Sequence, residues 1–153
     1  MISFKRSHFQ DPDFLLLTSQ LDEDLSSRYL TNQDDFTIYN KMDETVKVLI
    51  VYNDTEPIGC GALRPLQEGH AVELKRMFIL PAFRGMGLSR QILSELELWA
   101  ADDGFLTIRL ETGSKQPEAI ALYLKGGYQV IEPYGPYINI DTSVCMEKKL
   151  YGW

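Results

Sequence analysis

The stretch Arg84-Gly85-Met86-Gly87-Leu88-Ser89 lies between an apolar run that ends at Pro81 and an amphipathic pattern that continues to Ala101. Glycines at a strand-to-helix junction leave several backbone N–H groups with no side chain in front of them, and the helix behind adds the positive end of its dipole. Such a loop is built to bind phosphate, although a tight structural turn uses the same residues. No Gly-Lys-Ser/Thr follows, so it is not the nucleotide P-loop, and the full G-x-G-x-x-G of dinucleotide folds is absent.

The sequence around this turn reads as one mixed α/β unit. Met1 to Arg6 alternates as a first strand, and Asp11-Pro12 is an N-cap followed by proline at the first helical position. Phe14, Leu17, Leu21 and Leu25 then recur at spacings of three and four, which predicts a helix to about Tyr29. Thr31 to Thr45 is polar and is expected to hold a second short helix. Val46–Asn53 and Ile58–Leu66 are strand-like and form a hairpin, and Ala71–Leu80 is a third antiparallel strand leading into the glycine turn. Leu88, Ile92, Leu96 and Trp99, with Leu93 and Ala100 beside them, give the next helix its core face, which ends at Gly104. Phe105–Thr112 alternates Leu106, Ile108 and Leu110 against Thr107, Arg109 and Glu111. Pro117 opens a further helix closed by Gly126-Gly127, and Tyr128–Ile131 and Ser143–Leu150 are the last strands, joined by the turn-rich Glu132–Tyr137. The expected order is β-α-(α)-β-β-β-α-β-α-β-β, a mixed and mostly antiparallel sheet flanked by helices in one domain over residues 1–153.

Charge and composition narrow the function. With 44% hydrophobic and 24% charged residues the chain is an ordinary globular protein, and its apolar runs are too short for a membrane span. A net charge of −7 disfavours a nucleic-acid surface. The N-terminus has two cations but no apolar stretch behind them, so a cytoplasmic location is expected. Cys60 and Cys145 sit in strand-like apolar contexts as expected reduced thiols, and His8 and His70 lack partners at metal spacing. The charge is uneven: residues 11–35 carry seven acids against one arginine, whereas Arg64, Lys75, Arg76, Arg84 and Arg90 gather around the glycine turn. That split suits a cationic substrate on one side and an anionic cofactor on the other, and solvated surface faces would produce it as well.

Three ordered elements resemble the GNAT superfamily of N-acetyltransferases. Arg84, Gly87 and Ser89 match its R/Q-x-x-G-x-G/A turn, with serine in place of the final small residue. Ala119 to Tyr128 is similar to the family's A-x-x-L-Y-x-x-x-G-F/Y segment, preceded by Gln116 where asparagine is usual. Val72 to Ile79 is similar to its acyl-donor strand. The pattern Leu110-Glu111-Thr112-Gly113 resembles a bacterial branch of the family. The resemblance implies a GNAT fold and an acetyl-CoA-dependent N-acyltransferase that acts on the primary amine of a small or amino-acid-like acceptor by direct transfer in a ternary complex. It further implies that Met77, Phe78, Ile79, Arg84, Gly85, Met86, Gly87, Leu88, Ser89, Gln116 and Tyr123 contact coenzyme A, with Arg90 as a further charge partner. A protein or peptide acetyltransferase, with an open groove over Phe9 to Thr45, and a non-catalytic acyl-CoA-binding module are the alternatives. A homodimer stays open.

The chemistry needs a base and an acid. A lysine-like ammonium is neutral in only about one molecule in a few thousand at pH 7, a shortfall of roughly 4–5 kcal/mol. By resemblance Glu73 occupies the position of the general base, whereas the residue alone reads as a paired or solvated strand glutamate. By periodicity Tyr123 shares a helix face with Ile120, Leu124 and Gly127 as a core aromatic, and the resemblance makes it the general acid to the coenzyme A sulfur. Glu111 is expected to pair with Arg109 on its own strand. Arg76 is expected either to recognise a substrate carboxylate or to solvate the sheet.

Overall fold

The computed structural model describes residues 1–29, 42–67 and 69–150. In chain order the elements are β1 (Ile2–Ser7), α1 (Pro12–Tyr29), β2 (Lys47–Asn53), β3 (Glu56–Pro65), β4 (Ala71–Ile79), α2 (Leu88–Asp102), β5 (Thr107–Gly113), α3 (Pro117–Lys125), β6 (Gln129–Ile131) and β7 (Ser143–Lys149), with short 3-10 turns at Pro81–Phe83 and Gly135–Tyr137. The expected helix within Thr31 to Thr45 falls largely on residues 31–41, outside the described residues.

The strands form one seven-stranded sheet in the order β1-β2-β3-β4-β5-β7-β6. All neighbours pair antiparallel except β4 and β5, which run parallel because the whole of α2 connects them. The continuous apolar run of β2 follows from burial on both faces: Val48 and Ile50 meet Phe14, Leu17 and Leu21 of α1, while Leu49 and Val51 join the cluster under α2. On that second face Leu88, Ile92, Leu93, Leu96 and Ala100 pack against β3, β4 and β5. Gly61 permits the close approach, since a Cβ there would lie 2.9 Å from Leu96 Cδ1 and 3.1 Å from Ile92 Cγ2.

Helix α1 begins as its sequence dictates. Asp11 Oδ1 accepts from the Asp13 amide at 2.9 Å, and Oδ2 receives Ser7 Oγ at 2.6 Å and Lys5 Nζ at 3.1 Å, which ties the cap to β1. Burial by itself would raise the pKa of this carboxyl, but the hydrogen bonds from Ser7, the Asp13 amide and Lys5 outweigh it and hold the group below its ordinary value. A depressed folded-state pKa contributes stability that is present above the unfolded value and lost as pH falls through the folded one. Asp11→Ala is therefore expected to cost about 1–2 kcal/mol in urea unfolding at neutral pH and much less in acid. Equal destabilisation at both pH values would contradict the cap.

Two expectations change here. Leu106 is not in the inward row with Ile108 and Leu110 but 44% exposed, because regular strand pairing begins only at Thr107 and Phe105 packs against the core instead. Arg109 does not pair with Glu111. It meets Glu147, its directly opposed residue on β7, with Nε 3.3 Å from Oε1, and a facing cross-strand pair is closer than two residues along one strand.

Candidate functional site

The site begins where two parallel strands separate. β4 and β5 are in register only over Ala71–Leu74 and Thr107–Leu110. Beyond that the β4 edge facing β5 has no strand partner among the described residues. A bulge enforces the divergence: Cys60 faces Phe78 and Ala62 faces Lys75, so Gly61 alone opposes Arg76 and Met77. Arg76 takes a left-handed φ of 58°, unusual for a non-glycine residue. Its guanidinium offsets that strain by donating to Thr18 O at 3.0 Å and Asp22 Oδ1 at 2.6 Å. Arg76 thus clamps α1 to the bulge, a role that neither expectation for it included.

A cavity of about 550 Å³ fills the separation. Its walls include Leu74 and Leu110, which face α2, together with Lys75 and Glu111, which face the other way. Side chains alternate across a strand, so the cavity passes through the sheet from the α2 and α3 side to the α1 side. Met77, Phe78, Ile79, Arg84, Gly85, Gly87, Leu88, Ser89, Gln116 and Tyr123 line it, as does Arg90. Met86 stands outside this lining and is 58% exposed.

At one end of the cavity the glycine turn enters α2. Gly85 and Gly87 have φ of 81° and 80°, and a Cβ at either would meet nothing within 4 Å. Gly87 is the N-cap residue and makes no side-chain cap bond, and Gly87, Leu88, Ser89 and Arg90 at the start of α2 line the cavity. Only glycine meets both demands, a left-handed backbone and a bare surface, at low cost. The arrangement fits a phosphate-bearing group. Arg84 is part of the frame: its Nε donates to Ile79 O at 2.9 Å and its guanidinium lies 5.6 Å from the Phe78 ring centroid.

Tyr123 projects from α3 into the wall of the cavity. Its ring is buried and packs edge-on against Tyr128 at 5.8 Å, while Leu124 beside it is exposed. Burial pushes the hydroxyl pKa up, so the phenol keeps its proton throughout the neutral range.

On the α1 side a polar cluster lies under the turn at Gly135–Tyr137. Glu73 is 1% exposed and outside the cavity lining. Its Oε1 accepts from Arg64 Nη2 at 2.8 Å and lies 3.7 Å from Lys75 Nζ, and its Oε2 accepts from the Tyr134 hydroxyl at 2.7 Å. Lys75 Nζ donates to Tyr137 at 2.9 Å, and burial lowers its pKa against the opposing pull of Glu73. Glu111 lines the cavity and accepts from Ser143 Oγ at 2.6 Å; burial raises its pKa, with Ser143 and Lys75 opposing. Tyr134, Tyr137 and Ser143 are residues that sequence reasoning missed, and Lys75, read there only as a cation near the glycine turn, belongs to this cluster instead. Two tyrosines flanking Gly135-Pro136 in a turn were the available signal, since large aromatics in a turn usually cover something.

Comparison with known proteins agrees with this fold. A family model described as Acetyltransferase (GNAT) family matches residues 12–128. The IAA acetyltransferase of Azospirillum brasilense is 38% identical over 105 residues, 69% of this chain and 69% of that protein. A Klebsiella pneumoniae structure described as an acyl-CoA N-acyltransferase superposes with a TM-score of 0.83 at 34% identity over 99% of each chain. The PaiA N-acetyltransferase of Thermoplasma acidophilum, solved with coenzyme A, has the same fold, with a TM-score of 0.71 at 18% identity over 96% of this chain and 99% of that one.

Proposed function

The chain belongs to the acetyltransferase (GNAT) family of acyl-CoA-dependent enzymes, and from that premise we propose that its through-sheet cavity joins acetyl-CoA to a small primary amine for direct transfer in a ternary complex. The observation that carries this reading is the passage between β4 and β5. A donor entering from the α2 and α3 side and an acceptor entering from the α1 side can meet there without a covalent enzyme intermediate.

When bound, acetyl-CoA supplies an acetyl thioester. The α2 amides behind Gly85 and Gly87 hold its diphosphate, with Arg84 and Arg90 supplying positive charge. The dipole end adds only ~0.3–1 kcal/mol, so the several N–H bonds carry the affinity. Met77, Phe78 and Ile79 sit where β4 has lost β5, and the freed backbone edge can pair with an extended amide-bearing arm as a strand would. Tyr123 holds a proton beside the passage for the leaving sulfur. The acceptor approaches from the side of the Glu111 and Lys75 cluster.

A panel of small primary amines and amino acids, offered with acetyl-CoA while free thiol is followed, tests this reading. Thiol release that depends on one class of amine, with the amide identified by mass, is the expected result. Release that appears only with a protein or peptide acceptor would replace the small-molecule reading.

A further inference from the structure

Two glutamates lie on the same face of neighbouring strands, and their surroundings give them different work. Glu73 on β4 pairs in register with Arg109 of β5, in the part of the sheet that is still closed. Both of its oxygens accept hydrogen bonds, from Arg64 Nη2 and the Tyr134 hydroxyl, and Lys75 Nζ lies 3.7 Å from Oε1. With both oxygens occupied, Glu73 does not reach the cavity.

Glu111 is the first β5 residue beyond the last β4 partner, Leu110, and it lines the cavity at the passage. Ser143 Oγ fixes its Oε2 toward β7, which leaves Oε1 as the oxygen that can receive a proton. The groups facing it are Lys75 and Glu73 from β4, Tyr137 from the turn, and Ser143 and Cys145 from β7. Burial disfavours its charged form, and a carboxylate of raised basicity is the better proton acceptor.

We propose that Glu111, rather than Glu73, takes the proton that the acceptor ammonium sheds at the passage; this rests on the cavity being the transfer site. One N–H bond of the ammonium breaks, an O–H bond forms at Oε1, and the electron pair stays on nitrogen as the nucleophile. Glu73 is then a positioning residue that holds Lys75 and Tyr134 in the cluster beneath the passage.

The test compares wild type, Glu111→Gln, Glu111→Asp and Glu73→Gln. Carbon-13 NMR of the side-chain carboxyls, with the two Gln variants supplying the assignments, is expected to give Glu111 a titration midpoint above the ordinary glutamate value of about 4.3. Its signal is expected to shift when butylamine is added in the presence of coenzyme A. In turnover, Glu111→Gln is expected to lose ~10²-fold or more in kcat/KM at pH 7 together with the acid limb of the pH profile, at unchanged KM for acetyl-CoA. Glu111→Asp should keep the limb with a displaced midpoint, and Glu73→Gln should keep it in place. A wild type that turns over while Glu111→Gln retains its rate and limb overturns the proposal alone, as does a Glu111 signal indifferent to amine. A wild type that binds coenzyme A yet releases no thiol with any acceptor overturns the transfer reading and the proposal with it.

Discussion

Gly87→Val is expected to weaken coenzyme A binding by roughly 10–100-fold while leaving the protein folded. The residue has φ 80° and ψ 10° at the head of α2, a conformation that costs an L-residue ~1–2 kcal/mol and a β-branched one more. Nothing lies within 4 Å of where its Cβ would sit, so the branch point meets no packed atom and the fold is expected to bear mainly that strain. The same open space is where a phosphate would approach the α2 amides in the proposed donor site, and two methyl groups would occupy it. Loss of one charge-assisted hydrogen bond costs about 1.5–3 kcal/mol, and each 1.4 kcal/mol is tenfold in affinity. Calorimetric titration with coenzyme A, alongside a thermal melt, measures both effects. An unchanged Kd in a folded variant would remove the glycine turn from the binding site.

What was legible in the sequence was local. The α1 cap needs only Asp11 and Pro12 in succession, and the core face of α2 needs only the spacing of Leu88, Ile92 and Leu96, so both elements stand where the sequence puts them. The glycine turn is local as well, because two left-handed residues before a helix admit few substitutes. Family resemblance assigned Tyr123, Gln116 and the Met77–Ile79 segment of β4 to the cofactor, and the structure gathers those residues along one cavity.

The rest depended on contacts between distant segments. The separation of β4 from β5 is created by a bulge at Arg76, and no rule of sequence marks a non-glycine residue for a φ of 58°. That separation decides which of two same-face glutamates meets the cavity, and strand position alone does not show it. Likewise Arg109 pairs across the sheet with Glu147, because register on β7 sets its nearest carboxylate. Tyr134 and Tyr137 lie in a segment readable only as a turn, yet their hydroxyls meet Glu73 and Lys75, more than sixty residues earlier in the chain.

Tyr123→Phe is expected to lower kcat by ~10²-fold or more while leaving the KM for acetyl-CoA and the fold nearly unchanged. The ring, not the hydroxyl, packs against Tyr128, so phenylalanine keeps that contact and the loss of one hydrogen-bonding group costs stability no more than about 1 kcal/mol. Burial holds the phenol protonated well beyond its ordinary pKa of about 10, which makes it a weak acid in isolation. A leaving sulfur against Tyr123 would face the same environment, however, and an apolar wall that disfavours phenolate also raises the basicity of a thiolate formed against it. A proton transfer from Tyr123 would therefore stay closely matched in the cavity, and its benefit would fall on the transition state, where charge on sulfur develops, more than on the bound ground state. Because the phenol keeps its proton, the wild-type pH profile should show no loss of rate from Tyr123 below about pH 10. Steady-state kinetics of the two proteins with an active acceptor make the comparison. A kcat within about threefold of wild type would leave Tyr123 as a core aromatic and assign the sulfur's proton to water.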